Sequence, residues 1–120
     1  MRTLNEVLLN AGDASGDLES SVLDLEQIMG FAITAVITGT AAGTIKLQGS
    51  TDPGKPGPAQ GTLGIDVVNW TDIAGSSQAV SGAGTVTWNF SGAFYKWAKV
   101  VYTSTSGTGS ITCIANAKGF

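Results

Sequence analysis

The stretch TIKLQGS, residues 44–50, alternates strictly, with Ile45, Leu47 and Gly49 on one side and Thr44, Lys46, Gln48 and Ser50 on the other. A period of two marks an extended strand with one dry face and one wet face, because successive side chains point to opposite sides of the pleat. The pattern returns in TVTWNF, residues 85–90, where Val86, Trp88 and Phe90 form the apolar face and Thr85, Thr87 and Asn89 the polar one. It returns again in SITCIANA, residues 110–117, which aligns Ile111, Cys113 and Ala115 and leaves Ile114 on the outer face.

Two further runs are apolar on both sides. GFAITAVITG, residues 30–39, sets Phe31, Ile33, Ala35 and Ile37 against Ala32 and Val36. FYKWAKVVYT, residues 94–103, sets Ala98, Val100 and Tyr102 against Tyr95, Trp97 and Val101. Strands of this kind sit centrally in a sheet, or their outer face meets a partner. Shorter strand candidates are NEVLL, SSVLDL, VVNWTDI and SQAVSG. Between the runs stand glycine-rich turns: NAGDASGD, GTAAGT, GAG, SGA and TSGTGS. DLEQIMG, residues 24–30, supports one turn of helix at most, since Gly30 ends it.

The expectation is an all-β, antiparallel two-sheet β-sandwich of jelly-roll-like form, with eight or nine short strands in a single domain, residues 1–120. The similar segments ITGTAAGTIKL and TSTSGTGSITC read as two hairpins of like design.

Composition agrees with this class. Hydrophobic residues make up 42% of the chain, too much for disorder, and charged residues only 12%, so the surface repels neighbours weakly. The net charge of −3 is unevenly placed: Glu6, Asp13, Asp17, Glu19, Asp24 and Glu26 hold six of the nine acids in the first 26 residues. Six scattered bases form no patch able to neutralise several phosphates, so nucleic acid is not an expected partner. The longest apolar run is too short and too rich in threonine to cross a bilayer, so no membrane is expected, and assembly in a cytoplasm is. Cys113, the one cysteine, alternates with buried-type neighbours and reads as a small core side chain.

Little chemistry is on offer. The chain has no histidine, which removes Ser-His-Asp and Cys-His arrangements and imidazole zinc sites. Asp52, Asp66 and Asp72 read as turn and strand-end aspartates rather than a perturbed catalytic pair. DASGDLE spaces Asp13, Ser15, Asp17 and Glu19 at alternate positions, like the oxygen ligands of a calcium loop. Leu18 and Asp24 stand where such a loop needs glycine and glutamate, and a plain turn is the better reading. No catalytic residue, cofactor or metal is therefore assigned.

The long segment STDPGKPGPAQGTLG, residues 50–64, holds all three prolines. With nothing for a lid to cover, it reads as an arm lying over a neighbouring molecule. Its contact residues would be Asp52, Pro53, Lys55, Pro56 and Pro58, with Tyr95 and Trp97 as aromatic contacts from the body. The acidic segment, residues 1–26, is expected to be ordered by a neighbour in the same way.

The order GTIKLQGSTDP, VNWTDIAGSSQAVSGAGTVTWNF, YKWAKVVYTSTSGTGSITC and NAKG resembles a family of small β-sandwich virion structural or accessory proteins of tailed bacteriophages and related viruses. That resemblance implies a non-enzymatic virion protein, capsid-associated, decorating a vertex, or tail-associated. Its partners would be itself, as a homo-oligomer, and other virion proteins. A second, shorter resemblance, GSTDPG with NWTDI, is to discoidin-like sugar- and lipid-binding sandwiches. It implies a carbohydrate-binding module with Trp70, Tyr95 and Trp97 as a platform for a glycan.

Overall fold

The computed structural model describes residues 3–25, 28–51, 69–91 and 95–119. Those residues form ten strands and no helix: β1 (Thr3–Asp13), β2 (Leu18–Glu19), β3 (Leu23–Asp24), β4 (Ile28–Gly39), β5 (Ala42–Ser50), β6 (Thr71–Asp72), β7 (Gln78–Ser81), β8 (Gly84–Ser91), β9 (Trp97–Ser106) and β10 (Gly109–Gly119). The first sheet has the order β1-β10-β4-β8. In the second, β9 and β5 lie side by side, flanked by β2 and β3 on the β9 side and by β6 and β7 on the β5 side. Every pairing is antiparallel. The two-sheet, all-β architecture is the expected one. The strand beyond the expected nine is β2, whose two residues are too few for alternation to register.

The inner faces are those read from the sequence. Ile33, Ala35, Ile37, Trp88, Ile111 and Cys113 from the first sheet meet Ile45, Leu47, Val100 and Tyr102 from the second, all of them buried. Each fully buried aliphatic chain of this size contributes about 1.5–3 kcal/mol, which makes the layer between the sheets the main source of stability.

Segments 37–47 and 103–113 are not two separate hairpins. Each is a crossover between the sheets, and the two are paired with one another along their length. β4 leaves the first sheet through Thr40 and Ala41 to become β5 in the second, while β9 returns through Gly107 and Thr108 to become β10. At the corner Thr40 N–H donates to the Thr108 carbonyl at 2.7 Å, and Thr108 N–H to the Thr40 hydroxyl at 3.2 Å. Two antiparallel chains turning this sharply bring backbone against backbone. A Cβ on Gly107, where φ is +83°, would run into the Thr40 carbonyl oxygen. One on Gly109 would run into that of Thr38. The similarity of the two segments reflects this shared corner.

The acidic N-terminal segment is part of the sandwich, which corrects the expectation that a neighbour orders it. β1 pairs with β10 from Thr3 to Asp13, and Leu8, Ala14, Leu23 and Leu25 are buried in the core. Asp24 stands between buried Leu23 and Leu25, and Glu6, Asp13, Asp17 and Glu19 are exposed, so charge stays outside while the leucines anchor the chain. Of NAGDASGD, expected as a turn, the first half continues β1 to Asp13 and the turn follows at residues 14–16. Two register shifts and a positive φ of 49° at Ala11 absorb the irregularity. Ile28 N–H donates to the Leu25 carbonyl at 3.0 Å; residues 26 and 27 between them, where one turn of helix at most was expected, lie outside the described residues.

Both flanks of the second sheet are broken strands, and a serine fills each break. Between β6 and β7 the chain bulges away from β5. There the buried Ser76 hydroxyl accepts from Leu47 N–H at 3.1 Å, Ile73 N–H donates to the Leu47 carbonyl at 2.9 Å, and the hydroxyl proton goes to the Ile73 carbonyl at 2.6 Å. Between β2 and β3, the Ser20 hydroxyl accepts from Val100 N–H at 2.8 Å while Ser20 N–H donates to the Val100 carbonyl at 2.9 Å. Each break also reaches the other sheet. Trp88 Nε1 donates to the Ser76 carbonyl at 2.7 Å, and Ser21 N–H to the Leu8 carbonyl at 2.9 Å.

Two substitutions test these devices. Ser76→Ala leaves the buried Leu47 amide without its acceptor and lowers unfolding free energy by about 1–3 kcal/mol, while the exposed neighbour Ser77→Ala changes it little. Gly107→Ala combines a left-handed backbone with a clash and costs at least about 2 kcal/mol, whereas Gly16→Ala, in open space, is close to neutral. Urea unfolding of the four variants checks both.

Candidate functional site: the outer sheet faces

With the inner faces committed to the core, the broad surfaces left among the described residues are the two outer faces, which differ in chemistry. On the second sheet, Lys46, Gln48 and Ser50 from β5 stand beside Trp97, Lys99 and Val101 from β9, since paired residues share a face. Asp72 on β6 accepts from Lys46 Nζ at 3.0 Å and from Gln48 Nε2 at 2.9 Å. The Gln48 amide first and the Lys46 ammonium second hold the Asp72 carboxyl below its ordinary range. Lys99 Nζ pairs with Glu19 at 2.6 Å and lies 4.4 Å from the centre of the Trp70 ring. An open hollow of about 480 Å³ adjoins this network, lined by Lys46, Asp72, Ser76, Ser77 and Thr103 among others.

The outer face of the first sheet carries almost no charge. One row across all four strands reads Val7, Ile114, Thr34, Thr87, and the next row toward the corner reads Thr112, Val36, Thr85. Val7 is 57% exposed, Val36 40% and Ile114 38%. The hydroxyls between them are occupied sideways. Thr34 and Thr87 are 3.3 Å apart, Thr38 and Ser110 2.8 Å, and the Thr112 hydroxyl accepts from Ala11 N–H at 3.0 Å.

The residues singled out from the sequence are distributed as follows. Asp52, Pro53, Lys55, Pro56 and Pro58 lie outside the described residues, as does Asp66. Tyr95 and Trp97 do not share a face, contrary to expectation. Tyr95 precedes β9, so strand alternation does not govern it, and its ring lies over Gly49 against the core. Trp97 lies within β9 on the face away from Ala98 and Val100, paired with Ser50, and is only 3% exposed, with Lys96 Nζ 5.1 Å from its ring centre. Trp70, Tyr95 and Trp97 therefore form no common platform.

The alternating acids serve separate ends. Asp13 accepts from Ser15 N–H at 3.0 Å, which holds its carboxyl below the ordinary range, and Asp17 accepts from Ser104 N–H at 2.8 Å. Glu19 is paired with Lys99. Among the described residues no three acids, cysteines or histidines come together as a cation site. Cys113 is fully buried, and burial pushes its thiol up to about 12. What sequence reasoning missed is the Lys46–Gln48–Asp72 and Glu19–Lys99–Trp70 network. Its partners lie 24 residues or more apart, although Lys46 and Gln48 do share one face of the strand first identified.

No protein-family model matches the chain, and no curated protein sequence does. The architecture defines it as a small two-sheet, all-β protein, and solved structures share that fold over nearly the whole length. One is the SPBc2 prophage-derived protein YomS, similar with a TM-score of 0.58 at 13% identity, over 96% of this chain and 93% of that one. Another is PirA, with a TM-score of 0.51 at 18% identity, over 97% and 93%.

Two measurements check this geography. Acrylamide quenches Trp70 alone, so Trp70→Phe leaves an emission that resists quencher because Trp88 and Trp97 are buried. A carboxyl whose folded pKa is depressed stabilises the fold above its unfolded value, near ~4, and that contribution is lost as pH falls through and below it. Asp72→Asn therefore flattens the acid limb of the melting temperature against pH and leaves the slope above about pH 6 unchanged.

Proposed function

We propose that the chain is a non-enzymatic phage structural protein that works through protein–protein contacts in the virion, on the capsid, at a vertex or on the tail, after assembly in the host cytoplasm. The observation that carries this reading is the outer face of the first sheet, a surface of valine, isoleucine and threonine poor in charge. Large apolar side chains grouped on one face mark interaction surfaces. The fold shared with a prophage-derived protein supports the phage setting. The carboxylates support the non-enzymatic part: Asp13 and Asp72 are held ionised on exposed turns and edges, the reverse of the raised pKa that a general acid requires. The Pro/Gly-rich segment 51–64 is proposed as a second contact on its sequence alone.

Mass spectrometry of particles purified from the phage that encodes the chain tests the proposal. The expected result is the chain in many copies per particle. Its presence only in the soluble lysate overturns the reading. Deleting residues 54–63 leaves the isolated sandwich folded, because shortening a connection between strands changes closure entropy little, and lowers the copy number in particles.

A further inference from the structure

The outer face of the first sheet has an internal symmetry. Along β10, Ile114 stands midway between Lys118 and Ser110, four residues from each. Lys118 carries a positive charge at one end, and at the other Ser110 is paired with Asp13 on β1. Among the described residues on the rows of this face, these are the two charges. Along β4, Thr34 is likewise midway between Val36, which projects, and Ala32, which does not. Ala32 lies in a shallow hollow of about 250 Å³, walled by Asn89, Asn116 and Lys118.

From this we infer that the face is built to stack on the same face of a second copy, about a two-fold axis lying along the row Val7, Ile114, Thr34, Thr87. That operation reverses the strands and sets each over its own mate. Val36 of each copy then enters the hollow above Ala32 of the other, Ile114 meets Ile114 at the axis, and Lys118 reaches the end that carries Asp13. A two-fold interface must be self-complementary in this way: knob to hollow and cation to anion under one rotation. Desolvation costs little too, because the hydroxyls of Thr34 and Thr87, and of Thr38 and Ser110, already bond to one another sideways. Four strands by eight residues of rise give about 500 Å² per copy, or ~1,000 Å² in all, at the lower edge of stable interfaces. The pair is therefore weak in solution and firm where a particle holds many copies.

This inference rests on the proposed structural role for its setting, and the tests separate the two. Sedimentation of the wild-type protein over a concentration series is expected to show a monomer–dimer equilibrium with a dissociation constant on the order of 10–1,000 μM. Val36→Lys weakens it at least tenfold with melting temperature unchanged. Lys118→Glu and Asp13→Lys each weaken it several-fold, and the double variant Lys118→Glu/Asp13→Lys restores it, a rescue that misfolding cannot imitate. In Ile114→Cys the new thiol is the reactive one, Cys113 being buried, so a bis-maleimide about 10 Å long, the spacing of stacked sheets, links two copies. A strict monomer at ~1 mM with no cross-link overturns the stacking even if the chain is found in particles. A dimer that the charge swap fails to rescue overturns it as well. A rescued dimer in a chain absent from particles supports the stacking and removes the virion role.

Discussion

The hydrogen bonds at Ser76 are the constraint on which the second sheet and its attachment to the first depend. β5 carries buried Ile45 and Leu47, and its amides need partners on the side away from β9. The flanking chain supplies them at β6 and β7 but breaks between, opposite Leu47. The Ser76 hydroxyl closes that gap, and its carbonyl receives the Trp88 indole from the first sheet. A buried amide without an acceptor costs more than an ordinary hydrogen bond contributes, so one small hydroxyl decides whether the flank can break at all. Ser20 does the same for Val100 on the opposite flank. The two Ser-Ser doublets thus hold equivalent places, each with one serine hydroxyl completing a ladder.

Breaking both flanks has a consequence for association. Long unpaired edges invite strand addition from other molecules, and edge strands of two to four residues offer little to add to. The second sheet is guarded in this way along its edges, and its outer face is occupied by ion pairs and the Lys99–Trp70 contact. The first sheet is protected on its β1 edge by register shifts, yet its outer face presents methyl groups. The molecule therefore carries its ion pairs on one broad side, while the other is poor in charge and exposes Val7, Val36 and Ile114.

The crossover corner links these two sides. Because β4 continues as β5 and β9 as β10, the paired backbones of both sheets are one bent ribbon closed at Thr40 and Thr108. Glycines there do what no other residue can, allowing backbone to approach backbone while the chain changes sheet.

Alternation alone determined the class of fold and the composition of the core. Ile45 and Leu47, Val86 and Trp88, Ile111 and Cys113 fall on the inner faces because a period of two is a local property of extended chain. The outward placement of Val36 and Ile114 was legible for the same reason. Local pattern carries no information on which strand lies beside which. Two glycine-rich segments therefore read as hairpins when they are a single paired crossover, and the acidic N-terminal segment read as detachable when its leucines belong to the core. Tyr95 and Trp97 were placed on one face by parity, but parity fails before the first residue of a strand. Only tertiary structure brought Asp72 to Lys46, Glu19 to Lys99 and Lys118 to one end of a face whose other end holds Asp13, because these pairings are made by register between strands far apart in the chain.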